Sequence, residues 1–165
     1  MLPSSGPRPT GPDGGRQAAL RPAVPEDADA VAALLRRSKA EAMPWLAVVH
    51  TPDEDRAWVA GVLLVEHRVA VVDAPDGLVG VAAVRPGWLD QLYVRTSDQG
   101  RGVGRQLLRW AQATSPEGLQ LWAFARNAPA RRFYERAGFV LVRSTDGRGN
   151  EEREPDVLYA WTPDR

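Results

Sequence analysis

Residues 98–108 read DQGRGVGRQLL. Glycines stand at alternate positions, Gly100, Gly102 and Gly104, with Arg101 and Arg105 interleaved. The apolar set Val103, Leu107, Leu108, Trp110 and Ala111 that begins inside this stretch has the period of an amphipathic helix. A chain that puts its freest residues directly before a helix needs either a tight turn or bare N–H groups close to an oxyanion. Two familiar phosphate loops do not fit. A dinucleotide fingerprint needs Gly-x-Gly-x-x-Gly after an early strand, with an acid about 20 residues further on. Here the loop falls mid-chain, its spacing is Gly-x-Gly-x-Gly, and Gln120 stands in the acid's place. A P-loop ends in Gly-Lys-Ser/Thr, whereas this one ends Gly104-Arg105-Gln106. A plain turn and an oxyanion site at a helix start both remain. For the second, the helix dipole contributes roughly 0.3–2 kcal/mol, and Arg101 and Arg105 supply charge-assisted contacts.

Working outward, the chain alternates strand and helix patterns. QAALRPA is a short strand ended by Pro22. Pro25, Glu26 and Asp27 open a helix with Ala28, Val31, Leu34 and Leu35 on its apolar stripe. EAMPWLAVVH, broken by Pro44, reads as a loop. Thr51-Pro52-Asp53-Glu54 is a capping box with proline at the first helical position, and Trp58, Gly61, Val62 and Val65 are the expected buried face of that second helix. RVAVVD and LVGVAAV form a hairpin around Ala74-Pro75-Asp76-Gly77, WLDQLYV is the next strand, and the glycine-fronted helix follows it. LQLWAFA is a strand. Asn127 caps a helix carrying Ala130, Phe133, Tyr134 and Ala137, stopped by Gly138. FVLVRS and DVLYAW close the chain. The order β-α-α-β-β-β-α-β-α-β-β predicts an α/β (α+β) mixed sheet flanked by helices. Residues 1–16, MLPSSGPRPTGPDGGR, read as a disordered leader, and residues 17–165 as a single domain.

Composition narrows the function classes. With 44% apolar and 25% charged residues among 165, the chain can bury a core. Its formal net charge is zero, so no global field draws it to nucleic acid or to a membrane surface. No apolar run approaches the roughly 18–20 residues of a membrane span. The first residues lack the apolar core of a signal peptide, and the cytoplasm is the expected compartment. There is no cysteine, which removes disulfides, thiolate metal sites and a cysteine nucleophile together. His50 and His67 stand far apart without clustered acids, so no metal site is expected. Lysine occurs once, at Lys39, and arginine supplies the rest of the 21 basic side chains.

A second stretch, NAPARRFYERAGF at residues 127–139, is also a helix after a strand, and it ends in Gly-Phe before another strand. Together the two stretches resemble the GNAT N-acetyltransferase superfamily. Gln99-Gly100-Arg101-Gly102-Val103-Gly104 is similar to its Q/R-x-x-G-x-G/A pyrophosphate loop. Asn127, Ala130, Phe133, Tyr134, Glu135, Gly138 and Phe139 are similar to its N-x-x-A-x-x-F-Y-E-x-x-G-F segment. The resemblance spans roughly residues 17–161 and implies a mostly antiparallel sheet splayed between its fourth and fifth strands, with acetyl-CoA as co-substrate in the wedge.

It further implies roles for named residues. The strand ending Leu92-Tyr93-Val94 would pair its backbone with the pantetheine arm, and one of its N–H groups would polarise the thioester carbonyl. N–H groups of residues 100–105 would hold the pyrophosphate. Asn127 would contact pantetheine, with simple helix capping as the other reading. Arg131 or Arg132 would reach a nucleotide phosphate. Tyr134 would protonate the departing thiolate, its reference pKa near 10 keeping it a donor at neutral pH; the other reading is a core aromatic. Without a cysteine or a Gly-x-Ser-x-Gly elbow, direct attack by an amine is the simpler scheme. Asp90 is the first candidate for general base, with a water chain as the alternative. Trp45, His50, Glu54, Glu151 and Glu152 are candidates for an acidic wall around a primary amine. Relatives often dimerise, which leaves a homodimer open. A silent acyl-CoA-binding module and a transferase of longer acyl groups are the alternatives to acetyl transfer.

Overall fold

The computed structural model describes residues 18–164, so the leader expected over residues 1–16 lies outside the described residues. Strand β1 (Ala19–Pro22) is followed by a 3-10 turn at Pro25–Asp27 and by α1 (Ala28–Ala42). Asp27 ties this junction: it accepts from Val24 N–H at 2.8 Å and from two Arg21 N–H groups at 2.8 and 3.0 Å. Helix α2 (Pro52–Trp58) opens on the capping box read from the sequence. Glu54 N–H donates to Thr51 Oγ1 at 3.2 Å, and Thr51 N–H donates to the Glu54 carboxylate at 2.7 Å. A π turn at Val59–Leu63 leads into α3 (Leu64–Glu66). Then come β2 (Arg68–Ala74), β3 (Gly77–Arg85), β4 (Trp88–Val94), α4 (Val103–Ala113), β5 (Leu119–Phe124), α5 (Ala128–Arg136), β6 (Val140–Ser144) and β7 (Asp156–Trp161).

The seven strands form one mixed sheet in the order β1-β2-β3-β4-β5-β7-β6. Neighbours are antiparallel except β4 and β5, which are parallel and share a single paired position, Trp88 with Gln120, where both strands begin. Beyond it the sheet is parted. The cause is local to β4: Ala83 faces Gln91 and Val84 faces Leu89, so Asp90 is an extra residue. Such a bulge bends its strand and sharpens the twist, which carries β4 away from β5.

Each face of the sheet buries its own cluster. On one, Val31, Leu34 and Leu35 of α1 and Val59 and Leu63 pack on Val69, Val71, Val81 and Ala83. On the other, Val103, Leu107, Leu108 and Ala111 of α4 join Tyr134 and Phe139 against Val72, Ala82, Leu121 and Tyr159. The alternation of Val71 with Val72 between the two clusters is the period of two expected of a covered sheet. Gly80 lets α4 settle on β3: a Cβ there would lie 2.9 Å from both Leu107 Cδ1 and Val103 Cγ1.

One expected face is corrected. In the second helical segment Trp58 and Val65 are exposed, at 38% and 72%, while Val59 and Leu63 are buried at 1% and 0%. An unbroken period of 3.6 anchored on Trp58 chose the wrong stripe. The π turn inserts a residue at this point, and Trp58 faces a cavity instead of the core.

Candidate active site

Three structures flank β4: the start of α4 and helix α5 on one face, and a cavity under α1 and α2 on the other. The glycine loop follows β4 closely. Gln99 Nε2 donates to Val94 O at 3.3 Å, and Arg95 pairs with Asp98 and with Asp76, the latter at 3.0 Å. Gly100 and Gly102 hold φ of +76° and +86°, the left-handed region that side chains disfavour. A Cβ on either would meet open space rather than protein. Gly102 is the residue before the helix, and Gln106 N–H is the first to bond back, to Gly102 O at 3.0 Å. The N–H groups of Val103, Gly104 and Arg105 are thus the unpaired donors of a helix start. Gly104 does a different job: a Cβ there would come 3.4 Å from the Phe133 ring, so this glycine lets α4 and α5 touch. Arg101 is exposed, 3.9 Å from Asp98, and Arg105 is exposed beside it.

Helix α5 starts at Asn127, whose Oδ1 accepts from Ala130 N–H at 3.3 Å. Two turns on, Tyr134 is buried among aromatic edges, with Phe133 and Phe139 at ring separations of 5.3 and 5.6 Å. No described residue hydrogen-bonds its hydroxyl. Burial pushes its phenol above the ordinary 10.0, and neighbouring Tyr93 adds to the rise. Tyr93, on β4, is pushed up in the same direction by burial and then by Glu152. Tyr93 and Val94 therefore lie on the parted strand beside Tyr134, with Leu92 between them and Gln91.

Arg131 does not point towards a nucleotide site. Its Nε donates to Tyr159 OH at 3.0 Å and another guanidinium N–H donates to Ala125 O at 3.2 Å. Tyr159, fully buried, donates its own O–H to Glu135 Oε1 at 2.5 Å. Arg131 is thus a strut between α5 and β7, and Arg132 is the exposed arginine of the pair.

On the other face lies a cavity of about 560 Å³. Leu35, Met43, Leu46 and Val59 give it an apolar floor, and His50, Glu54, Asp55, Glu151 and Glu152 give it an acidic rim. Four of the five expected acceptor-side residues are brought together here. His50 Nε2 lies 2.9 Å from Glu151 Oε2 and its Nδ1 4.0 Å from Glu54, so the loop before α2 is strapped to the loop between β6 and β7. Hydrogen bonding to Glu151 raises the His50 pKa above 6.5, against desolvation and with further help from the charges of Glu151, Glu54 and Asp55. Trp45, the fifth, does not line this cavity. It stacks edge-on against Phe124 at 6.0 Å, under the Arg126 guanidinium at 4.4 Å. Phe124 and Glu152 belong to a second concavity of about 510 Å³ along β5 and β6.

Asp90 is also relocated. As the bulge residue it turns to His67, at 2.8 Å, and to Arg85, both of which engage Oδ2. Arg85 also reaches Oδ1 at 3.2 Å. With its oxygens engaged by His67 and Arg85 and no place on the cavity wall, Asp90 is poorly set to take a proton from an amine. Gln91 is the β4 side chain that lines the cavity. Sequence reasoning missed Gln91, Asp55, Trp58 and Lys39 as lining residues. Lys39 carried a legible signal, because Val31, Leu35 and Lys39 share one helical stripe.

Among the described residues no three His, Cys, Asp or Glu side chains are grouped to hold a metal ion. Nor is any helix there long and apolar enough to cross a membrane.

A sheet parted between parallel strands, a glycine-fronted helix beside the parting and a cavity on the opposite face are the arrangement that the resemblance to acetyltransferases implies. Comparison with known proteins agrees. Residues 61–141 match the family model described as an acetyltransferase (GNAT) domain. The fold is shared with apo YjaB from Escherichia coli at a TM-score of 0.71, with 23% identity over 87% of this chain and 97% of that one. It is shared with YncA from Salmonella typhimurium, solved with its cofactor acetyl-CoA, at 0.68, with 17% identity over 90% and 95%. It is shared with NAA60 from Arabidopsis thaliana, in complex with a bisubstrate analogue, at 0.66, with 18% identity over 88% and 97%. At these identities the likeness is one of fold. No curated protein matches the chain by sequence comparison. Residues 61–141 of the chain are thus a GNAT acetyltransferase domain by that match.

Proposed function

We propose that this protein is an N-acetyltransferase that moves the acetyl group of acetyl-CoA to a primary amine bound in the cavity under α1 and α2. The observation that carries this reading is Tyr134, a buried phenol without a hydrogen-bond partner among the described residues, standing beside Tyr93 where the sheet parts. The residues present suit the co-substrate. Backbone N–H groups at the start of α4 suit its pyrophosphate, and the left-handed glycines leave open space in front of them. The backbone of Leu92, Tyr93 and Val94, unpaired with β5, suits an extended pantetheine arm and can donate an N–H to the carbonyl. Bound there, acetyl-CoA supplies an activated acyl group and a thiol leaving group.

This chain's own residues do the rest. The acidic rim attracts a cationic amine, and the apolar floor holds its carbon skeleton. Placing amine and thioester in contact can remove up to roughly 7–11 kcal/mol of the barrier. Tyr134, kept protonated by its burial, delivers the proton that the leaving sulfur needs. The cavity acids Glu54, Asp55, Glu151 and Glu152 stand on the amine's side and, with solvent, replace Asp90 as the route for its proton.

The test is a panel of primary amines assayed with acetyl-CoA for thiol release and for acetylated product. Amine-dependent thiol release supports the reading. CoA binding without thiol release for any amine, small or peptidic, would make the protein a binding module and refute it.

A further inference from the structure

Lys39 is the only lysine of the chain, and α1 delivers it to the acceptor cavity rather than to water. It continues the stripe of Val31 and Leu35, both buried, and its side chain lines the cavity beside Leu35, Met43 and Gln91. Lysines with apolar stems usually extend their heads to solvent. Here Nζ lies 5.7 Å from the centroid of the Tyr93 ring, on the parted strand. Tyr93 is in turn the neighbour that acts on Tyr134. A primary amine therefore stands against an aromatic ring of the strand from which the sheet parts. No carboxylate among the described residues forms an ion pair with Nζ.

We propose that Lys39 is itself an acceptor, and that the protein acetylates its own Lys39 within one chain. This rests on the reading of the site as an acetyl-CoA-dependent transferase. The Nζ lone pair forms a C–N bond to the thioester carbonyl carbon as the C–S bond breaks. The amine proton leaves past the cavity acids to solvent, and Tyr134 protonates the departing sulfur. The products are an amide on Lys39 and free CoA, so no oxidant or further reactant is required. Burial supports the step, since it lowers the ammonium pKa from the ordinary 10.5 against the pull of Glu152, Asp55 and Glu151. Each unit of lowering raises the fraction of nucleophilic free amine at neutral pH about tenfold.

The experiment is incubation of the full chain with acetyl-CoA and no added amine, read by intact mass and peptide mapping. One acetyl group is expected on Lys39, at a half-time independent of protein concentration, and protein denatured by heat before acetyl-CoA is added should stay unlabelled. Lys39→Arg and Lys39→Met, checked for a native circular dichroism spectrum, should both lose it. Label on the N-terminal amine alone, or equal label in denatured protein, overturns the proposal. So does a half-time that shortens with protein concentration. An unlabelled Lys39 in protein that still acetylates an added amine overturns it and leaves the transferase reading standing. Absence of label, of thiol release and of calorimetric CoA binding overturns both.

Discussion

Replacing Tyr134 by Phe deletes one oxygen from the site, and the structure fixes what should and should not change. The ring keeps its edge contacts to Phe133 and Phe139 at 5.3 and 5.6 Å. No described residue hydrogen-bonds the hydroxyl, so no protein group is orphaned by its removal. The stability change should stay within about 1 kcal/mol, or about 2–4 °C in Tm for a chain of this size. The rate is another matter. A positioned general acid contributes about 10²–10⁴-fold. A thiolate leaves more readily than an alkoxide, its conjugate acid having a pKa of roughly 8.5, so the lower end applies. The expected loss in kcat is about 100-fold, or about 2.7 kcal/mol in the barrier. Because burial already holds the wild-type phenol protonated, the loss should be uniform from pH 6 to pH 8 rather than confined to one limb. Thiol release at saturating amine measures kcat, and calorimetry measures CoA affinity, which should not move. A variant with normal kcat would remove Tyr134 from the chemistry. Affinity falling in step with kcat would make the hydroxyl a binding contact instead.

Other expected outcomes test the frame around that phenol. Gly80→Ala places a Cβ 2.9 Å from Leu107 and Val103; overpacking there should cost about 1–3 kcal/mol in urea unfolding, and wild-type stability would show that α4 is not seated by this glycine. Gly102→Glu sets a carboxylate at the mouth of the α4 N–H groups, where φ is +86°. Calorimetric CoA affinity should fall about tenfold or more, one like charge near 4 Å being worth about 1–4 kcal/mol; unchanged affinity would displace the pyrophosphate from this loop. The His50–Glu151 strap gives a pH dependence. Glu151 raises the His50 pKa above 6.5, so the strap is complete below 6.5 and is lost as pH rises through the folded-state value. The KM for the amine should therefore climb above neutrality in the wild type and stay flat with pH in Glu151→Gln, while a parallel climb in both would discard the strap.

The architecture was legible because it is written in local periodicity. Strands Val69–Val72 and Val79–Val84 alternate between two buried clusters, and Thr51 and Gly138 mark helix ends with the chemistry that helix ends require. The one misread face, on the second helix, fails where a π turn breaks the period. The bulge at Asp90 was not legible for a related reason: it is a mismatch between two strands, and neither strand's own pattern records it. That single mismatch moved the candidate base away from the cavity and set Gln91 on its wall.

The two halves of the site differ in legibility for a physical reason. The proposed donor side rests on main-chain groups, and exposing main chain demands particular residues at fixed spacing: glycines at 100 and 102, an unpaired helix start, and a capping Asn127. Those demands survive as a pattern in contiguous sequence. The proposed acceptor side rests on side chains from α1, from the loop before α2 and from the turn between β6 and β7, with His50 and Glu151 meeting across the fold at 2.9 Å. Nothing in either segment alone requires the other, so composition could nominate the acids but not pair them. A lysine on an apolar stripe is the exception. Desolvating an ammonium is costly enough that Lys39, following Val31 and Leu35, marks an enclosed polar site even before the cavity around it is known.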